Sequence, residues 1–280
     1  MAKHTDTVIS NNDAMTSNPA APAPLLVRMV SAGAFVLLCT IALVLPVPPS
    51  LYVKSASGLV LLAGCFVFFA NGSRLLAPGI FLALAYLTRC LPFYSLFLML
   101  ALPLALYGLM VRFLPALHAG HRGFVMGNIN KGPLVVTIVV TVMSVAGLVT
   151  WYALGNVDFS GFTDAFRDRG TAAVVLGGLL FSVINAFVSE AVFRGVVWQG
   201  IEECFPKALP IVLIQGLLYG VSHYWGALPN GWEGAILSGV FGLFLGMIRL
   251  FSGGLFFPMI AHLCADLTLL ILVLHTLGRF

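Results

Sequence analysis

The sequence predicts an all-α, polytopic membrane helix bundle of about seven to nine transmembrane helices. Three observations lead there. Hydrophobic residues fill 60% of the 280 positions and charged residues only 9%, against ~25% charged in an average soluble domain, and the mean hydropathy is +1.04. The apolar runs are long and lack the alternating polarity of barrel strands; in hydrocarbon each backbone polar group must be satisfied within its own segment, which leaves helices. Gly and Pro recur inside the runs, as at Pro103, Gly177-Gly178, Gly216 and Gly242, where membrane helices tolerate them and use small residues for close approach.

Residues 1–23 are polar and then Pro/Ala-rich, without the apolar core of a signal peptide, and are expected to form a disordered tail. Spans follow at roughly 25–46, 57–72, 75–90, 93–112, 133–154, 171–204, 208–225, 234–250 and 255–277, set against the ~20 residues a crossing needs. Nine spans with the amino terminus inside leave more Lys and Arg on the cytoplasmic side (Lys3, Arg28, Arg74, Arg112, Arg122, Lys131, Lys207, Arg249) than on the other (Lys54, Arg89, Arg167, Arg169, Arg279). The basic loop 113–132 divides accessory helices, 24–132, from a functional core, 133–280, which holds every candidate site residue. Loop 155–170 carries Asp158, Asp164, Arg167, Asp168 and Arg169 among Phe159, Phe162 and Phe166, a pattern of a solvated cap or a short interfacial helix. Cys39, Cys65, Cys90, Cys204 and Cys264 show no metal or redox spacing and read as small core residues. The formal net charge of +4 is scattered, so no nucleic-acid surface is expected. The partners implied are the lipid bilayer and a peptide or protein within it; nothing in the sequence fixes an oligomeric state.

Three polar islands interrupt the apolar sequence of the core. Asn185 to Gly195 reads NAFVSEAVFRG and places Glu190 and Arg194 four residues apart, on one helix face, where two otherwise costly charges can satisfy each other. His223 follows Tyr219-Gly-Val-Ser, and His262 precedes Asp266 by one turn, a spacing at which a shared hydrogen bond can fix the imidazole tautomer. If the chain turns at Pro206, Glu190 and His223 both lie roughly 25 Å from that turn, hence level on neighbouring helices. A carboxylate, two imidazoles and a guanidinium in a dry pocket suit activation of water and stabilisation of an oxyanion, which points to hydrolysis of an acyl bond, most naturally a peptide bond. Zinc held by Glu190, His223 and His262 is the minor alternative to a cofactor-free site, since Arg194 beside Glu190 repels a cation. A proton relay through the same groups is a further alternative, set back by their gathering at one depth.

At these islands the sequence resembles the CPBP family, the CAAX-processing and bacteriocin-processing (ABI) intramembrane proteases. The family pattern is E-E-x-x-x-R, then F-x-x-x-H, then H-x-x-x-N or D; here it reads Ser189-Glu190-Ala-Val-Phe-Arg194, Tyr219-Gly-Val-Ser-His223 and His262-Leu-Cys-Ala-Asp266. The resemblance covers about residues 133–278. It implies a glutamate-dependent protease of a bacterial inner or plasma membrane, acting on prenylated tails, peptides or sorting signals. His223 and His262 would be site histidines, Asp266 would support the oxyanion side and Arg194 would orient the acidic motif. The sequence departs at Ser189, which stands where the family has its water-activating glutamate. Adjacent helical residues point about 100° apart. Either the helix rotates or distorts so that Glu190 activates the water, or the chain is a non-catalytic relative that binds membrane peptides or confers immunity.

Overall fold

The computed structural model describes residues 24–71, 73–91, 96–118, 124–155, 157, 159, 163, 164, 166–205, 207–225 and 228–279. The tail expected at 1–23, Pro206, Asp158 and Phe162 lie outside the described residues. Helix α1, Leu25–Cys39, runs on through a π turn, Thr40–Val44; α2 is Leu51–Ala70, α3 Leu76–Arg89, α4 Leu96–Phe113, α5 Pro115–His118 and α6 Lys131–Leu154. Next come α7, Thr171–Glu190, a π stretch at Ala191–Val197, α8, Trp198–Cys204, α9, Ala208–His223, α10, Gly231–Ser252, and α11, Phe256–Thr276. No strand occurs among the described residues, and the all-α expectation holds.

Six helical runs among the described residues are long and apolar enough to cross a bilayer: Leu25–Val44, Leu51–Ala70, Lys131–Leu154, Thr171–Cys204, Gly231–Ser252 and Phe256–Thr276. Three shorter apolar helices, Leu76–Arg89, Met99–Phe113 and Ala208–His223, complete the set. The expected late start of the second span, at 57, is corrected to Leu51. Lys54 breaks the apolar pattern there but falls in the first turn, where a long stem carries its charge to the interface. Large apolar side chains turn outward along these helices, among them Leu59, Phe66, Val135, Leu176, Leu217 and Ile236, all more than half exposed. Water would make such a surface a liability; for a bilayer it is ordinary solvent contact.

The core does not stop at the basic loop. Phe35, Leu38, Leu61, Phe81, Tyr86 and Tyr107 of the first four helices share one buried cluster with Val192, Phe193, Val197, Trp198 and Tyr219 of the later ones. The front helices therefore form a wall against which the Glu190 segment is packed. Behind that segment, α9 and α10 approach closely because glycines face each other: a methyl group on Gly220 would lie 2.6 Å from both the Ala235 carbonyl oxygen and the Gly239 Cα.

The basic loop itself also positions the site. The Leu255 and Phe256 amides donate to the Val125 and Met126 carbonyls at 2.8 and 3.2 Å, and the Asn128 amide donates to the Ser252 carbonyl at 2.8 Å. These bonds engage amides at the start of α11 that have no partner within a helix. They fix where α11, and with it His262 and Asp266, begins. At the opposite end, Trp151 Nε1 donates to Glu233 at 2.7 Å and Tyr152 bonds to His275 at 2.7 Å, joining α6 to α10 and α11. Loop 155–170 is more than a solvated cap: Phe159 is buried, with ring centroids 6.0 Å from Trp151 and 5.8 Å from Tyr152. Its apolar side chain belongs to the packing between α6 and α11.

Because backbone atoms of α10 occupy the space beside Gly220, Gly220→Val forces the α9–α10 pair apart. Overpacking of this kind costs about 1–3 kcal/mol or more. The expected outcome is a lowered thermal unfolding midpoint in detergent, measured by tryptophan fluorescence.

Candidate active site

The three polar islands converge on one cluster. Glu190 and Arg194 are both fully buried and pair at 3.0 Å between Glu190 Oε1 and Arg194 Nη1. The same carboxylate oxygen accepts His262 Nδ1–H at 2.7 Å. Arg194 Nη2 donates to the Gly242 carbonyl at 3.0 Å, and Gln215 Nε2 donates to that same carbonyl at 2.9 Å. The guanidinium also lies over the Tyr219 ring, 4.6 Å from its centroid, a cation–π contact strengthened by the loss of water. One ion pair thus holds α7, α9, α10 and α11.

Glu190 is the last residue of α7 and Arg194 lies inside the π stretch, whose end is marked by the Trp198 amide bonding to the Phe193 carbonyl five residues back. Such bulges concentrate at functional sites. The local distortion foreseen at this motif is present, but it does not carry Glu190 onto an open surface. Glu190 Oε2 is sealed without a hydrogen-bond partner among the described residues. Ser189, its neighbour, lines a large cavity among the helices instead.

That cavity has a volume of about 1400 Å³ and is walled mostly by apolar side chains, from Leu43 and Val44 at the end of α1 to Phe241 and Phe244 of α10. Its polar lining includes Asn185, Ser189, Tyr219, Ser222, His223, His262 and Asp266 of the core, with Lys54 and Arg89 contributed by the front helices. His223 Nδ1–H donates to the Tyr219 carbonyl at 3.0 Å, which leaves Nε2 as the nitrogen free for chemistry. The Tyr219 ring lies 4.6 Å from the His223 ring and 6.0 Å from the His262 ring, and its hydroxyl is 3.4 Å from His262 Nε2. Tyr219 is therefore the link between the two histidines.

The hydrogen bond expected between His262 and Asp266 is replaced by another. His262 Nε2 stands 3.7 Å from Asp266 Oδ1, an ion-pair separation beyond hydrogen-bond reach. The imidazole is fixed by Glu190 instead, because an ionised carboxylate only accepts and so requires the proton on Nδ1. Asp266 takes its bond from Asn185, whose Nδ2 donates to Oδ2 at 2.9 Å; Ser189 Oγ in turn donates to Asn185 Oδ1 at 3.4 Å.

Asn185, Gln215 and the Tyr219 hydroxyl were not among the residues marked for chemistry by the sequence reading. The signal for Asn185 was present: Gly178, Ser182, Asn185 and Ser189 repeat at helical spacing along one face of α7, and all four line the cavity. Nothing local marks Gln215, whose role comes from meeting Gly242 of another helix. Among the described residues, no group of three or more His, Cys, Asp or Glu side chains is arranged to hold a metal ion. A cation at Glu190 Oε1 would face both a guanidinium and an imidazole N–H.

Fold and site together define a multi-pass helical membrane protein with carboxylate and imidazole groups enclosed among its helices. Residues 171–268 match the family model of the Type II CAAX prenyl endopeptidase Rce1-like proteins. The matched segment is about a third of the chain and contains all three motifs, and the match agrees with the resemblance to the CPBP proteases. No curated protein and no solved structure matches the chain.

Removing one member of a buried pair leaves an uncompensated charge, at a cost of about 3–5 kcal/mol. Arg194→Met is expected to lower thermal stability in detergent by that order. Adding Glu190→Gln to Arg194→Met should recover part of the loss, a coupling that a double-mutant cycle measures directly.

Proposed function

We propose that the chain is an intramembrane peptidase. It hydrolyses a peptide bond of a membrane-associated substrate, prenylated or bearing a sorting signal, with water activated by a carboxylate and without a metal. The observation that carries this reading is a mostly apolar cavity whose lining brings together His223, His262, Tyr219 and Asp266. An apolar chamber accepts the lipid-like part of a substrate, and a few convergent polar groups orient the bond to be cut. His223 Nε2 relays a proton during attack and leaving-group departure. The Tyr219 hydroxyl is the donor at hand for a developing oxyanion. Glu190 and Arg194 hold His262 in place from behind the cavity wall.

A second reading has its own support. Ser189 stands at the cavity where the family pattern has a glutamate, and Glu190 is sealed behind the wall. On that reading the chain is a non-catalytic relative, and the cavity binds a membrane peptide without cutting it.

A cleavage assay in liposomes, with quenched peptides that are either prenylated or membrane-proximal, separates the two. The expected result is turnover by the wild type and a fall of about 10²–10⁴-fold in kcat/KM for His223→Ala, the usual contribution of a proton-transfer group. Peptides that bind the wild type and stay intact would support the second reading.

A further inference from the structure

Resting on the peptidase reading, the geometry points to Asp266, and not Glu190, as the general base that activates the hydrolytic water. Asn185 and Ser189 then act as its positioning residues. We propose this assignment from where the two carboxylates stand. Glu190 is fully buried, one of its oxygens is taken by Arg194 and His262, and it does not reach the cavity wall. Asp266 does reach it, with its side chain 11% exposed, and is the only carboxylate on that wall among the described residues. A base must touch the water whose proton it takes, and of the two only Asp266 has access.

The hydrogen bonds at Asp266 fit the task. A carboxylate accepts only, so Asn185 must present its NH₂ to Asp266 and its carbonyl oxygen to Ser189, as the distances of 2.9 and 3.4 Å require. The carboxylate sets the orientation of the amide, and the serine at the first motif position supports it by donating to the amide oxygen. Oδ1 is left without a hydrogen bond, 3.7 Å from His262 Nε2, and available to the cavity. One oxygen is anchored and the other is free to accept a proton.

In the step that follows, the water oxygen bonds to the scissile carbonyl carbon as its proton passes to Asp266 Oδ1. The carbonyl π electrons move to the oxygen, beside the Tyr219 hydroxyl. When the tetrahedral intermediate collapses, the C–N bond breaks and the proton goes to the departing amine, by way of Asp266 or His223. Acid and amine products leave, and the aspartate is again ionised. No other reactant is consumed.

The test uses the full-length protein in liposomes with the peptide that the wild type cleaves. Asp266→Asn keeps shape and can still accept the bond from Asn185. It is expected to lower kcat by about 10²–10⁴-fold, with KM and the unfolding midpoint close to wild type. Combining it with Ser189→Glu returns a carboxylate to the same wall and is expected to restore kcat at least tenfold over Asp266→Asn alone. Asn185→Ala should lower kcat in the wild type and add little in the Asp266→Asn background, the non-additivity of residues acting through one group. An active wild type with Asp266→Asn within about threefold of it overturns this assignment and leaves the peptidase reading standing. A loss in Asp266→Asn that Ser189→Glu does not relieve, with Asn185→Ala fully additive, also overturns it. A wild type that binds the peptides and cleaves none overturns both.

Discussion

The fully buried pair of Glu190 and Arg194 is the constraint on which the rest of the core depends. Two charges removed from water demand partners, and four helices supply them at Glu190 Oε1 and at both terminal guanidinium nitrogens, while Glu190 Oε2 and Arg194 Nε have none among the described residues. His262 of α11 approaches one carboxylate oxygen, the Gly242 carbonyl of α10 accepts from the guanidinium, and the Tyr219 ring of α9 lies against its face. Apolar contacts between membrane helices are weakly directional, because lipid tails offer nearly the same environment. The pair supplies what they lack: it fixes the register of these helices relative to one another.

Local backbone and tertiary contact are coupled at this point. The π stretch begins at Ala191, directly after Glu190. Widening the helix there changes the direction of everything downstream, so that Trp198 packs below Arg249, 5.7 Å from its guanidinium, while Phe193 meets the Tyr219 ring at 5.0 Å. At the same time the Arg249 Nε–H donates to the Arg194 carbonyl at 3.3 Å, which engages one backbone oxygen in the distorted segment. The front helices close the remaining side through Phe35 and Tyr107, both fully buried. They carry no group of the polar cluster, yet they wall off the motif helix.

Much of this was legible in the sequence because bilayer physics makes it so. Uninterrupted apolar runs can only be helices, and polar residues spaced three or four apart within them can only share a face. What was not legible depended on contacts between helices. The spacing of His262 and Asp266 allowed a mutual hydrogen bond, but Glu190 and Asn185, each from α7, offered better-placed partners and took them. Which of two adjacent residues, Ser189 or Glu190, would face the cavity was likewise undetermined, since it turns on the rotation of α7 against α11.

That rotation makes Ser189 and Asp266 intelligible as two halves of one arrangement. Both line the cavity, with Asn185 bonded between them. Had position 189 been glutamate while 266 was aspartate, two carboxylates would share one apolar chamber, and the second could ionise only against the charge of the first. Asn185 has a single NH₂ group to offer them. With serine at 189 the chamber wall carries one carboxylate, and the serine hydroxyl donates to the amide whose NH₂ group that carboxylate takes. Read alone, Ser189 is the loss of an acid from a motif. Read together with Asp266, it is the residue whose hydroxyl supports the amide that holds the one carboxylate on the opposite helix of the same cavity.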